Sequence, residues 1–281
     1  MRKSLLAVFM AASVLFALAP EIRGYQTRER ERTRTTTVNT GGDDDRGDFA
    51  EKDEFRQTYQ LSPGAKVEVQ GINGLAEIET WEGSAAEVTV VRSARSREDL
   101  EFHKVIVEQT ASTLVVRGEK DRERSMLGRN RDVRQRVMLK VPRQIDLSVS
   151  GINGKVGVGE VDGPVRLSGI NGRVDVAQAR GYSDISGING RVKVTITQLG
   201  ERGIHVSGVN GGVELFFAEE LNADLDVTGI NGGVNADVAN VTVMGKLDRQ
   251  NFHAKIGSGG SPIRVSGVNG HVKLSRAGSP G

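Results

Sequence analysis

The tetrapeptide Gly-Ile-Asn-Gly, or its variant Gly-Val-Asn-Gly, occurs seven times in the 281 residues, beginning at Gly71, Gly151, Gly169, Gly187, Gly208, Gly229 and Gly267. From Gly151 onward the intervals are 18, 18, 21, 21 and 38 residues, the last reading as two units of 19. The flanks repeat as well. Val165-Arg166-Leu167-Ser168 precedes one copy and Arg173-Val174-Asp175-Val176 follows it, so apolar and polar residues alternate on both sides of the motif. Period-2 alternation places the apolar side chains of a strand on one face. A unit of this size cannot bury that face alone, so successive units must stack to make a core. The pattern predicts an all-β chain built as a β-solenoid with coils of about 18–21 residues. A rival arrangement, in which each copy is an Asn-Gly hairpin of an antiparallel meander, satisfies the same repeat.

Asn-Gly tolerates positive φ, which predicts a corner at each copy where one short strand gives way to the next. If the corners stack, Asn153, Asn171, Asn189, Asn210, Asn231 and Asn269 come into line at the inter-strand spacing of about 4.8 Å. Their amides then hydrogen-bond along the stack as a structural repeat ladder, each donating to one neighbour and accepting from the other. The Ser or Thr before each motif (Ser150, Ser168, Ser186, Ser207, Thr228, Ser266) forms a second polar row on the same logic.

The recurring Ser-Gly-Ile-Asn-Gly units, with the Gly-rich stretch Lys255-Ile256-Gly257-Ser258-Gly259-Gly260, resemble a bacterial putative-adhesin family of unknown function that is related to auto-transporter adhesin head GIN domains. The resemblance covers roughly residues 60–276. It implies a right-handed single-stranded β-helix and a role at the cell surface, "adhesin" in that family being itself an inference from fold.

The rest of the chain divides by composition. Residues 1–24 have a basic start at Arg2 and Lys3, an apolar run from Leu5 to Ala19 and a small-residue site at Ala17-Leu18-Ala19, and read as a secretory signal peptide. That places the mature protein in the periplasm, the cell envelope or outside the cell, with no membrane-spanning segment after the leader. Residues 25–55 are polar and repetitive, and read as a disordered linker. The linker contains Arg46-Gly47-Asp48, whose three residue types are all abundant here and which needs no integrin to explain it. Residues 56–144 hold the first motif and several alternating runs, which read as an N-terminal β-rich cap plus a first coil; 145–276 read as the solenoid proper, and 277–281 as a tail. Within the cap, Ser96 followed by Asp99, Leu100 and Phe102 reads as a capping box opening a short helix. The Arg-rich stretch 121–136 reads as a solvated hairpin tip.

Composition excludes several function classes. The chain has no cysteine, which removes disulfides, thiol catalysis and lipid attachment through an N-terminal cysteine. The net charge of +2 is accounted for by Arg2 and Lys3, so no nucleic-acid partner is indicated. His103, His205, His253 and His271 have no metal-like spacing, and Gly257 to Gly260 lacks the Lys-Ser/Thr and the helix of a phosphate loop. Asp175, Asp184, Asp224, Asp226 and Asp237 are spread singly, as solubilising strand residues are. No catalytic, cofactor-binding or metal-binding residue is therefore expected. Two function classes stand: a non-enzymatic envelope or extracellular module binding a polysaccharide or protein through its faces or edges, and a carbohydrate-active β-helix lyase or hydrolase. Edge-to-edge self-association belongs to the first if the strand ending after Leu274 is left uncovered.

Overall fold

The structure, a computed structural model, describes residues 49–120, 133–177, 181–196, 198–217, 222–237, 241–244 and 251–276. Residues 1–24, read as a signal peptide, most of the stretch read as a linker with Arg46-Gly47-Asp48, most of the Arg-rich stretch and residues 277–281 lie outside the described residues.

In chain order the strands are β1 (Glu51–Gln60), β2 (Ala65–Gln70), β3 (Asn73–Trp81), β4 (Ala85–Ala94), β5 (His103–Thr110), β6 (Thr113–Lys120), β7 (Val133–Pro142), β8 (Ile145–Ser150), β9 (Asn153–Val158) and β10 (Val165–Val176). They continue as β11 (Ser183–Ile196), β12 (Ile204–Asn210), β13 (Val213–Phe217), β14 (Ala223–Ile230), β15 (Val234–Asp237), β16 (Val241–Val243), β17 (Phe252–Ile256), β18 (Ser261–Asn269) and β19 (Val272–Arg276). A single helix among the described residues, α1 (Arg97–Phe102), lies between β4 and β5. It is the helix expected from the capping box: Ser96 is its N-cap, and the Ser96 Oγ accepts from the Asp99 N–H at 3.2 Å. Leu100 packs with Ala94 and Val133, and Arg92 donates to the carbonyls of Leu100 and His103 while its other nitrogen pairs with Asp53. No helix among the described residues is long and apolar enough to cross a membrane.

Consecutive repeats pair in parallel and in register, Asn171 opposite Asn153 on one side and Asn189 on the other. That register excludes the antiparallel meander. Two parallel columns result. Residues before the motif give β6–β2–β8–β10–β11–β12–β18–β14. Residues after it give β7–β3–β9–β10–β11–β13–β19–β15. Strands β10 and β11 pass through the motif and belong to both. The alternating Val, Ile and Leu of both columns form one continuous buried cluster, from Leu61 through Val165, Leu167 and Val174 to Leu274. The apolar residue of every motif copy joins it: Ile72, Ile152, Ile170, Ile188, Val209, Ile230 and Val268 are each 1–2% exposed.

The order of strands in the columns departs from chain order at both ends. β2 and β3 do not start the stack; β6 and β7 pair outside them, so the segment assigned to a cap supplies a full level of the columns. At the other end, the final strands β18 and β19 insert between β12–β13 and β14–β15. The interval of 38 residues is therefore not two successive coils of 19. After β15 the chain makes the antiparallel pair β16–β17, with β17 antiparallel to β14, and then returns beneath the unit it has just left. The equality 38 = 2 × 19 is a property of the excursion's length alone. The linker boundary also shifts, since β1 begins at Glu51 and pairs antiparallel with β4, its side chains almost all exposed. Charged residues can hold an edge strand in place through backbone pairing even where there is no apolar face to bury, which is why composition placed Glu51 to Phe55 in the linker.

Candidate functional site

Each motif turns the chain at its first glycine. In the copy beginning at Gly187, that residue has φ +61°, in the left-handed region, Ile188 points into the core, Asn189 points out, and Gly190 has φ +152°. The corner expected at Asn-Gly thus sits two residues earlier. The second glycine is held for another reason: a Cβ on Gly190 would lie 1.8 Å from the carbonyl oxygen of Gly172 in the preceding unit. The glycines let neighbouring backbones close up, and the asparagines between them meet.

Their amides form a head-to-tail chain. Asn153 Nδ2 donates to Asn73 Oδ1 at 3.0 Å, Asn171 to Asn153 at 2.9 Å, Asn189 to Asn171 at 3.2 Å and Asn210 to Asn189 at 3.2 Å. Because β18 inserts early, the next donor is Asn269, to Asn210 at 3.1 Å, and Asn231 then donates to Asn269 at 3.1 Å. Asn231, not Asn269, is the terminal member. All six asparagines named from the sequence take part, joined by Asn73, whose motif is set apart by 80 residues. At that end the chain of amides is closed by the protein itself: Asn73 Nδ2 donates to the Val133 carbonyl at 2.9 Å, and buried Gln135 accepts from the Asn73 N–H at 2.9 Å. Elsewhere the asparagine N–H donates to the motif's apolar residue one level away, as Asn171 does to Ile152 at 2.8 Å. Gln135 replaces that partner where no further motif exists, and no repeat pattern marked it. Ser150, Ser168, Ser186, Ser207, Ser266 and Thr228 also fall in register on the first column.

Because side chains alternate, the outward face of the second column carries two more rows beside the asparagines. Directly after the motif come Lys155, Arg173 and Arg191, opposite one another on β9, β10 and β11. Two residues further on come Glu77, Gly157, Asp175, Lys193, Glu214 and Lys273. An open groove of about 620 Å³ runs over these rows, with Gly157 leaving its floor bare between Glu77 and Asp175. Its ion pairs are loose: Lys155 to Asp175 at 3.7 Å and Arg191 to Glu214 at 3.8 Å. Of the adjacent phenylalanines Phe217 is buried, and Phe216 is half-buried beneath the Lys193 ammonium, 4.6 Å from the ring centroid.

The outward face of the first column is different in kind. Arg166, Asp184, His205, Arg264 and Asp226 lie in register, with His253 opposite Asp226 and its Nδ1 3.1 Å from the carboxylate. Burial and the Asp184 carboxylate, 3.4 Å from its hydroxyl, raise the Tyr182 pKa above the ordinary tyrosine range, while Arg202 stacks on its ring at 4.2 Å. The single carboxylates named from the sequence are not gathered: Asp175 and Asp237 lie on the second column, Asp184, Asp224 and Asp226 on the first. His205 lies outward on its strand, His271 is exposed just before β19, His103 is buried, and none of the four histidines joins a metal-like cluster among the described residues.

No protein-family model matches the chain, and no curated protein is similar to it. Among solved structures, it is similar to a putative cell adhesion protein from Clostridium sporogenes at 11% identity, covering 80% of this chain and 100% of that one with a TM-score of 0.41. A putative adhesin from Bacteroides fragilis matches at 10% identity over 79% of this chain and 97% of that one, TM-score 0.30. Another, from Parabacteroides merdae, matches at 10% identity over 80% and 96%, TM-score 0.23.

Proposed function

We propose that this chain is an exported, non-enzymatic protein of the cell envelope or cell exterior that adheres to a polymeric surface component through the outward face of its second column. In this reading the parallel columns wind as a right-handed single-stranded β-helix, and the asparagine row is its structural ladder. The observation that carries the proposal is the in-register repetition of outward side chains, Asn153, Asn171 and Asn189 beside Lys155, Arg173 and Arg191. A polymer with a regular repeat meets the same contact at these three successive levels. One exposed ion pair contributes about 0–1 kcal/mol, and an array of them on one rigid face converts weak contacts into avidity. Export is supported by the basic start, apolar run and small-residue site of residues 1–24. A binding role is supported by the engagement of the outward carboxylates in surface pairs, Asp175 with Lys155, Asp184 with Tyr182 and Asp226 with His253.

Retention of the labelled full chain on isolated cell envelopes and on a panel of insoluble polysaccharides, with soluble products assayed in the same tubes, tests the proposal. Retention without release of fragments is the expected result. Cleavage abolished by one carboxylate substitution that leaves the fold intact would replace it with the carbohydrate-active enzyme, and absence of retention on every surface would end the adhesion reading.

A further inference from the structure

We infer that the ligand of the second column is a linear polyanionic glycan bearing a carboxylate on each sugar, a polyuronate, laid across strands β9 to β11 on the row Lys155, Arg173 and Arg191. The inference rests on the adhesive reading above and names its substrate class. Three cations on neighbouring strands in register are spaced by the inter-strand distance of about 4.8 Å, close to the advance of one sugar along an extended chain. Arg173, in the middle, has no ion pair among the described residues. Its neighbours keep their carboxylates at 3.7 and 3.8 Å, beyond hydrogen-bond distance, so a ligand carboxylate meeting the guanidinium fork competes with weak partners.

The surroundings of the row set the rest of the recognition. On one side, each asparagine amide uses one N–H in the amide chain and keeps the other, a donor for a sugar hydroxyl or ring carboxylate at every level. On the other side the groove carries Glu77, Glu79, Asp175 and Glu214, with Lys193 between the last two, so the polymer's carboxylates are kept off this row and held to Lys155, Arg173 and Arg191. Gly157 opens the groove floor at the level of Lys155, where a side chain would otherwise stand between Glu77 and Asp175. The contacts are exposed and therefore screened by salt, so affinity depends on chain length.

The test is binding of the full chain to immobilised polygalacturonate, with galacturonate monomer, a neutral glucan and single-stranded DNA as the other probes. Polygalacturonate is expected to bind and the monomer not to compete. The double variant Arg173→Gln/Arg191→Gln should weaken binding about tenfold or more, corresponding to two exposed charge contacts. Arg166→Gln, on the other column, should leave it unchanged, and unaltered thermal melts establish that each variant folds. Binding that survives the double variant, equal competition by monomer, or preference for DNA overturns the inference. Retention on envelopes or on neutral glucan without polygalacturonate binding overturns it while leaving adhesion standing, whereas absence of binding to every surface overturns both.

Discussion

Replacing the two glycines of one motif separately measures how closely the repeats are packed. At Gly187 the backbone has φ +61°, and a Cβ would meet nothing nearer than the Gly169 nitrogen at 3.6 Å. Gly187→Ala therefore faces a conformational cost alone, roughly 1–2 kcal/mol for an L residue in the left-handed region. At Gly190 the new Cβ would lie 1.8 Å from Gly172 O, against a floor of 3.0 Å for such contacts, so neighbouring strands must part by about 1.2 Å. The ladder bonds on that strand cannot absorb the shift; the Asn171 N–H to Ile152 O bond of the adjacent level is 2.8 Å. Losing two or three backbone bonds at about 1 kcal/mol each, besides the strain of φ +152°, brings the cost of Gly190→Ala to roughly 3–5 kcal/mol. Urea denaturation followed by far-UV circular dichroism and by the fluorescence of Trp81, the one tryptophan, reads both variants. Equal losses at the two positions would refute the claim that backbone contact between units, and not turn geometry alone, selects the second glycine.

The stacking order makes Asn269→Ala cost as much as Asn189→Ala, about 1 kcal/mol in this exposed row, and Asn231→Ala less; a chain-order stack would put the small loss at Asn269, and denaturation midpoints separate the two orders. Ser183 is fully buried between Val165 and Ile204 with its hydroxyl unpartnered, so Ser183→Ala should raise stability by up to about 1 kcal/mol, and a lower melting temperature would contradict the missing partner. Because burial and Asp184 raise the Tyr182 pKa, this group leaves stability unchanged below about pH 10 and lowers it as pH rises towards the folded-state value; Tyr182→Phe should flatten that alkaline decline in a pH series of melts.

The all-β class and the main contents of the core were legible because the signal was local and periodic. Val165, Leu167, Val174 and Val176 alternate with Arg166, Arg173 and Asp175, and burial follows that alternation residue by residue. The asparagine row was legible for the same reason, each member lying inside a motif. What the repeat could not encode was which unit lies next to which. Identical motifs are interchangeable in register, so the early insertion of β18–β19 is decided by the length and pairing of the β16–β17 excursion. The cationic row was present in plain view as the residue after three successive motifs, Lys155, Arg173 and Arg191, yet its meaning depends on parallel register, which brings residues 18 apart in sequence to adjacent strands. Gln135 gave no signal, since a single glutamine in a strand acquires its role only from the motif placed against it.

The exchanged order also bears on whether the columns grow by adding further copies. A stack assembled strictly along the chain would finish on its last strand, offering β19 as an open edge beside a fraying terminus. Here β19 pairs on both sides, with β13 and β15, and β18 with β12 and β14, so the last described strands are held between neighbours. Antiparallel strands pair outside the terminal levels elsewhere: β5 on β6, β4 on β7, and β17 on β14. Among the described residues this leaves β15 as the end of the second column, a strand of four residues finishing in exposed Asp237. Short length and a charge at the edge are the features that discourage strand addition. The edge after Leu274, where self-association required an uncovered strand, is occupied by the protein's own β15; among the described residues the strands paired on one side only are β15 on the second column and β1, β5 and β16 in the antiparallel pairs.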